Sequence, residues 1–376
     1  GNADGNGFGV FKYSPPTGFF SVASSNLPIS DDIDPAQTDD DYPSKQFGPV
    51  LYTGNGGSNA VTGLGFQPDL VWGKCRSHSQ AGILIDSSRG QGLLFSSLDW
   101  VEQTSNGPFM TSYDSDGFTL ASSGSNPNDS GRTYVAWCWR ANGGTTSTNS
   151  DGSTDSTVQA NTKAGFSIIT YAGNGSNRTI GHGLSSAPDF MIMKNRDASG
   201  NWVVYARSQG AGNRGQLNTA NAWGSSSTSF QSTDPTSSVI SLGTSSGTNA
   251  SGNNFVCYAW HNVEGMQKFG TYNGNGDSDG TFVYTGFRPR MVFVKLTSGA
   301  GEWTVFDTER DTSNQMENIL QWDLANAETQ ISTSKIDFLS NGFKLRGGGG
   351  GRTNQTGDPY IYGAWGDVPF KYNNTF

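Results

Sequence analysis

The chain has 376 residues, a net charge of −9 and a pI near 4.8, with 33% apolar and 15% charged residues. Such acidity argues against a nucleic-acid partner, which needs clustered Lys and Arg to release counterions, and no stretch nears the ~20 apolar residues of a membrane span. Its 52 glycines and 12% aromatics fit short strands joined by tight turns, not long helices, and the length admits two to four folded units at ~100 to 200 residues each.

Residues 1–47 match nothing later in the chain. The run from Phe8 to Tyr13 predicts a short strand, Pro15-Pro16-Thr17-Gly18 a turn, and residues 31–41, with Asp31, Asp32, Asp34 and Asp39 to Asp41, an acidic linker. A lone strand is not stable, so this part reads as the last strand of an upstream module followed by a linker.

From residue 48 the chain repeats itself. Tyr52-Thr53-Gly54-Asn55-Gly56 recurs as Tyr171-Ala172-Gly173-Asn174-Gly175 and Tyr272-Asn273-Gly274-Asn275-Gly276, each at the end of a β-type run. A proline follows at Pro68, Pro188 and Pro289, and six positions after each stands a lysine, Lys74, Lys194 and Lys295. The residues between are continuous apolar runs, suited to strands buried on both faces. Next come strands running into polar corners, at 83–89, 202–207 and 303–310, and a further short strand at 117–120, 239–242 and 342–345. Weaker strand candidates lie at Thr179-Ile180, Phe230-Gln231 and 281–284, and one helical candidate at 315–320. Each unit closes on an aromatic strand, 134–139, 255–260 and 360–365, whose sixth residue is Trp139, Trp260 or Trp365. Repeats of this spacing, with Gly, Asn, Ser and Asp at the joints, predict an all-β chain of three tandem β-sandwiches: 48–142, 163–265 and 266–376.

Residues 143–162 read as a polar connector between the first two sandwiches. The second and third follow each other almost directly and are expected to pack rigidly. Both faces of the closing strand are apolar: Val256, Tyr258 and Trp260 on one, Phe255, Cys257 and Ala259 on the other. One face fills a sandwich, and the other must lie under a loop, a neighbouring unit or another subunit.

Little in the sequence suggests catalysis. His78, His182 and His261 sit in unlike contexts with neither a nucleophile elbow nor metal-ligand spacing. Asp307 and Glu309 have the spacing of paired carboxylates on a strand face, but Asp86 and Arg89 match Asp307 and Arg310, which predicts a corner ion pair in place of a reaction. Cys75, Cys138 and Cys257 read as free thiols. No cofactor is expected. Asp277 and Asp279 beside Asn275 offer hard oxygen ligands that would suit calcium, with solvated turns as the plainer reading. Trp100, Trp223 and Trp322, outside the closing strands, are the candidates for stacking on a carbohydrate or other receptor, with core packing as the alternative for each.

The entry Tyr13-Ser14-Pro15-Pro16-Thr17-Gly18-Phe19, the Tyr-x-Gly-Asn-Gly turns, the segments 284–289 and 336–345, and the closing 364–370 resemble repeat-domain virion proteins of tailed bacteriophages of the aquatic type. In those proteins the repeats follow a domain like the SPRY or concanavalin-like lectin sandwich, and residues 8–19 resemble its exit strand. The resemblance implies a non-enzymatic tail-fibre, tail-associated or capsid-surface protein, assembled in the host cytoplasm and carried on the particle surface. Its implied partners are other virion proteins, copies of itself as a homotrimer by analogy with fibres, and a host cell-surface glycan or protein. Two alternatives stay open: an architectural cement or decoration protein that touches no receptor, and a polysaccharide-degrading enzyme or its carbohydrate-binding appendage.

Overall fold

The structure, a computed structural model, describes residues 2–7, 9–21, 41–104, 109–122, 127–348 and 352–367. Among these the chain is nearly all β, and its one α-helical element is the single turn Ser246–Asn249. No helix among them is long and apolar enough to cross a membrane.

The apolar runs between proline and lysine form the middle of each large sheet because they bury both faces. Every residue of Leu70–Cys75 and of Phe190–Asn195 is buried. In the first unit the order is Phe47–Thr53, Thr133–Trp139, Leu70–Cys75, Ile83–Asp86 and Leu94–Phe95. The second and third units repeat this arrangement: the closing strand Asn254–Trp260 lies between Phe166–Ala172 and Phe190–Asn195, and Pro359–Gly366 between Gln267–Asn273 and Pro289–Leu296. A small antiparallel sheet covers one face of each large sheet. Its strands are Asn59–Thr62, Gly117–Leu120 and Met110–Asp114 in the first unit, Arg178–Gly181 and Val239–Leu242 in the second, and Phe282–Tyr284, Gly342–Leu345 and Ile336–Leu339 in the third.

Strand alternation sends the two faces of each closing strand into different cores. Phe255, Cys257 and Ala259 point into their own sandwich, as do Ala136 and Cys138 in the first unit and Tyr360, Tyr362 and Ala364 in the third. Val135, Trp137 and Trp139 join Val256, Tyr258 and Trp260, and Ile361 and Trp365, in a fourth core common to all three units. At its centre the three closing tryptophans meet edge to face in a ring: Trp139–Trp260 5.8 Å, Trp139–Trp365 5.4 Å and Trp260–Trp365 6.2 Å between centroids. The sandwiches are thus arranged around a pseudo-threefold axis and share apolar interior, in place of the string of independent cores that the tandem pattern suggests. The face that needed a cover is covered by neighbouring units of the same chain.

Four expectations are corrected. Residues 143–162 are not a free connector: Ser147–Asn149 and Ser156–Asn161 add two strands to the second sheet. The segment is polar, but its polar groups find partners. Ser156 Oγ donates to Gly181 O at 2.7 Å, and the buried Gln159 accepts from the Asn142 and Gly144 amides while donating to Ser87 and Ser88. The helical candidate at 315–320 instead enters the strand Asn318–Gln321, whose Ile319 and Leu320 are buried on opposite sides. Phe230-Gln231 is a turn, with Gln231 at φ 55°. The strand expected at Phe8–Tyr13 is not formed over the described residues 9–13, where Asn2 and Phe11 make one isolated bridge, while Phe47, expected to precede the first unit, opens its strand Phe47–Thr53; Asp31 to Asp40 lie outside the described residues.

Candidate binding surface

The repeated Tyr-x-Gly-Asn-Gly turn is held by an asparagine that the motif does not contain. The buried Asn128 accepts the Asn55 amide through Oδ1 and donates through Nδ2 to Asn55 Oδ1, Gly57 O and Ala121 O. Asn249 and Asn354 make the same bonds to the turns at Asn174 and Asn275. The glycine before each turn asparagine has no room for a side chain: a Cβ on Gly54, Gly173 or Gly274 would come within 2.3 Å of a facing carbonyl oxygen. One signal was present in the sequence, since Asn128, Asn249 and Asn354 each stand six residues before the aromatic that opens the closing strand. These turns are braced scaffold.

The acidic residues considered for catalysis are committed to the joints between units. Between the third and first, Asp307 accepts from Arg310 Nε at 2.6 Å and from Trp137 Nε1 at 3.0 Å, and Arg310 reaches Glu328, which also pairs with Arg76 at 2.8 Å. Between the first and second, Asp86 accepts from Arg89 at 2.5 Å and from the Tyr258 hydroxyl at 2.6 Å, while Glu102 bridges Arg89 to Arg196. Burial opposes the charge on Arg89, but Asp86, Tyr258 and Glu102 more than offset it and its pKa is raised. At the third joint the matching position is Ala206, opposite Phe190, and Gly363 replaces Trp137 and Tyr258 on the closing strand. Phe190, Phe269 and Phe293 fill that joint instead. Glu309 pairs with Arg290 at 3.2 Å.

The three landmark lysines are buried and bond across the joints in one rotational sense. Lys74 Nζ donates to Gln80 O and to Leu324 O of the third unit. Lys194 Nζ donates to Gly200 O and to Asp99 O of the first, and Lys295 Nζ to Ala220 O and Asn221 O of the second. Burial pulls each ammonium down to about 8, against the favourable charges of Asp323 near Lys74 and Lys295 and Asp99 near Lys194. The unfolded chain keeps its lysine protons to about 10.5, so stability is expected to rise as pH climbs above 8, by about 1 kcal/mol per lysine at pH 9. Buried Cys138 and Cys257 and buried tyrosines such as Tyr171 and Tyr258 have raised values and withdraw stability once their unfolded counterparts ionise near 9 and 10. Thermal midpoints followed from pH 7 to 10 should peak near pH 9. Lys194→Met should flatten the rise by about a third, and a midpoint that falls steadily from pH 7 would contradict this account.

Of the candidate stacking residues, only Trp100 is open. Trp322 is 1% exposed and lies face to face with Trp72 at 4.1 Å, so its ring is a joint between the third and first units. Trp223 is half-buried against Gly215 and Trp303 at the joint of the second and third. Trp100 is 53% exposed, and its loop is clamped: Asp99 O accepts from Lys194 Nζ and the Gly200 amide, and the Glu102 amide donates to Arg196 O. Phe95 meets the ring edge-on at 5.6 Å. Among the described residues beyond 41, Phe282 and Tyr284 are the other exposed rings.

The calcium candidates are engaged otherwise. Asp279 pairs with Lys344 at 2.6 Å and with Arg346 at 3.1 Å, and the Lys344 hydrogen bond holds its carboxyl below the usual range. Asp277 Oδ1 accepts the Asp279 amide within the turn. Among the described residues no three His, Cys, Asp or Glu cluster as a metal site. His182 is buried, its Nδ1 accepting the Leu184 amide, and burial lowers its pKa. His261 faces Ser185 Oγ at 3.4 Å, with the carbonyl of Asn262 at its other nitrogen. The three cysteines are buried and unpaired.

No curated protein matches the chain. One family model, described as Domain of unknown function (DUF7483), matches residues 42–369, a span that takes in all three units around the shared core. The chain therefore belongs to that family.

Proposed function

We propose that this chain is a non-enzymatic component of a tailed-phage particle, on its tail or surface, that attaches to the host by binding surface carbohydrate. The sequence resemblance supports the phage assignment, and the observation that carries the binding role is Trp100. A tryptophan held open to solvent on a loop pinned through main-chain bonds from Lys194 and Gly200 loses little further freedom when a sugar ring stacks on it. Individually weak contacts of this kind become strong when many copies engage one surface, as they would in a homotrimeric fibre.

The test is binding of the purified full chain to host cells and to immobilised surface polysaccharides. Trp100→Ala is expected to weaken binding about tenfold, the order of one stacking contact, with an unchanged melting midpoint. The architectural alternative draws support from exposed Val10, Tyr13, Phe19 and Phe20 in the N-terminal segment, which suit contact with other particle proteins. Absence of cell and polysaccharide binding even at high avidity would replace the attachment reading with that one.

A further inference from the structure

We infer that the third unit carries a second, separate carbohydrate site, formed by Phe282 and Tyr284 and the cleft beside them, and that its ligand is a neutral sugar chain. This inference rests on the attachment reading for its biological meaning, but not for its chemistry.

Phe282 and Tyr284 lie on Phe282–Tyr284, an outer strand of the small sheet, with Val283 between them pointing into the core. Same-face residues on a strand stand about 7 Å apart, within reach of one oligosaccharide. They are 44% and 58% exposed, although large apolar rings gain by burial. Their poses explain how they stay open. A Cβ on Gly342 would come within 3.1 Å of Phe282 Cε2 and Cζ, so that ring lies down across a bare glycine on the neighbouring strand. Tyr284 does the same over Gly286, whose φ of +91° itself favours glycine, with ring atoms 3.8 and 3.9 Å from where a Cβ would stand. Each ring thus packs against a residue without a side chain and keeps about half of its surface open to water. Lys268 Nζ stands 5.1 Å from the Tyr284 centroid and donates to Tyr284 O at 3.2 Å, which fixes the second ring further.

Tyr284 also forms one wall of a cleft of about 530 Å³, between the start of Gln267–Asn273 and the loop at Thr285-Gly286. The cleft is lined by Asn262, Glu264, Gln267 and Lys268 as well. Its two charges are of opposite sign, so it does not select an acidic or a basic ligand. Flat aromatic surface beside amides and hydroxyls suits a polyhydroxylated ring, with apolar C–H faces and polar edges. The equivalent strands of the other units, Asn59–Thr62 and Arg178–Gly181, have no aromatic residue, so the site belongs to the third unit alone.

The experiment titrates the full chain with cellohexaose, maltohexaose and chitohexaose, and with oligogalacturonate as the acidic probe, by saturation-transfer NMR and calorimetry. At least one neutral hexasaccharide should bind with a millimolar or tighter Kd and little dependence on salt. Phe282→Ala and Tyr284→Ala should each weaken binding to this site about fivefold or more, with unchanged melting midpoints, and to the same degree in a Trp100→Ala background as in the parent. The inference is overturned if no neutral probe binds up to about 10 mM, if only the acidic probe binds, or if both aromatic variants bind like the parent. It is equally overturned if these variants abolish self-association of the chain in sedimentation and have no effect on sugars. Cell attachment that depends on Trp100 without any effect of Tyr284→Ala would sink this site and spare the attachment reading. Hexasaccharide binding that depends on Tyr284 without any cell attachment would do the reverse.

Discussion

Trp139→Ala is expected to lower unfolding free energy by about 3 to 5 kcal/mol, the range for removing a buried tryptophan from a packed core. Trp139 touches Phe47 and Trp72 in its own unit, Phe166 and Trp260 in the second, and Trp365 in the third, so the cavity opens where all three sandwiches meet. Its Nε1 is buried without a hydrogen-bond acceptor, as are those of Trp260 and Trp365. The edge-to-face ring directs indole edges at neighbouring π faces, a weak interaction that does not change the accounting much. Packing therefore carries the effect, and Trp139→Phe should cost far less than alanine. Urea unfolding followed by far-UV and near-UV signals checks both. The parent should unfold in one transition, because the shared core couples the units. Three separated transitions, or an alanine midpoint equal to that of Trp100→Ala, would refute the account of the axis.

The strands were legible because alternation and apolar runs are local. The sequence around Phe255–Trp260 already showed two apolar faces, and both are buried. What covers the second face was not legible, because the answer lies far along the chain. Lys74 reaches Leu324 across 250 residues, and Ser96 donates to Trp322 O across 226. No pattern within one repeat encodes such contacts. Trp322 looked like a surface candidate because polar residues surround it, yet its ring closes on Trp72 of another unit. The connector at 143–162 failed for a related reason: Gln159 is polar by type but becomes a buried hub once Ser87, Ser88 and the amides of Asn142 and Gly144 are brought to it. The corner pairs Asp86–Arg89 and Asp307–Arg310 could be read from their spacing, whereas their partners Glu102 and Glu328 could not. The open rings of Phe282 and Tyr284 were hidden because only the fold shows a glycine beneath each.

Arg310→Met is expected to cost about 3 to 5 kcal/mol, comparable to the loss of the axial tryptophan, although it removes no large ring. The Arg310 guanidinium is fully buried and donates to Asp307, Glu328, Val305 O and Asn318 O, so methionine leaves a buried carboxylate and two carbonyls short of partners. The penalty comes chiefly from the stranded charge of Asp307, which then keeps only Trp137 Nε1 and nearby amides. Arg310→Met combined with Asp307→Asn removes that charge and should therefore cost no more than Arg310→Met alone, a coupling of about 1 to 3 kcal/mol in a double-mutant cycle. Arg288→Met provides the contrast. Its partner Asp367 sits at a partly open surface, where such a pair contributes about 0 to 1 kcal/mol. Equal urea midpoints for Arg310→Met and Arg288→Met would show that the joint between the third and first units is held by apolar packing, with the charged network contributing nothing measurable.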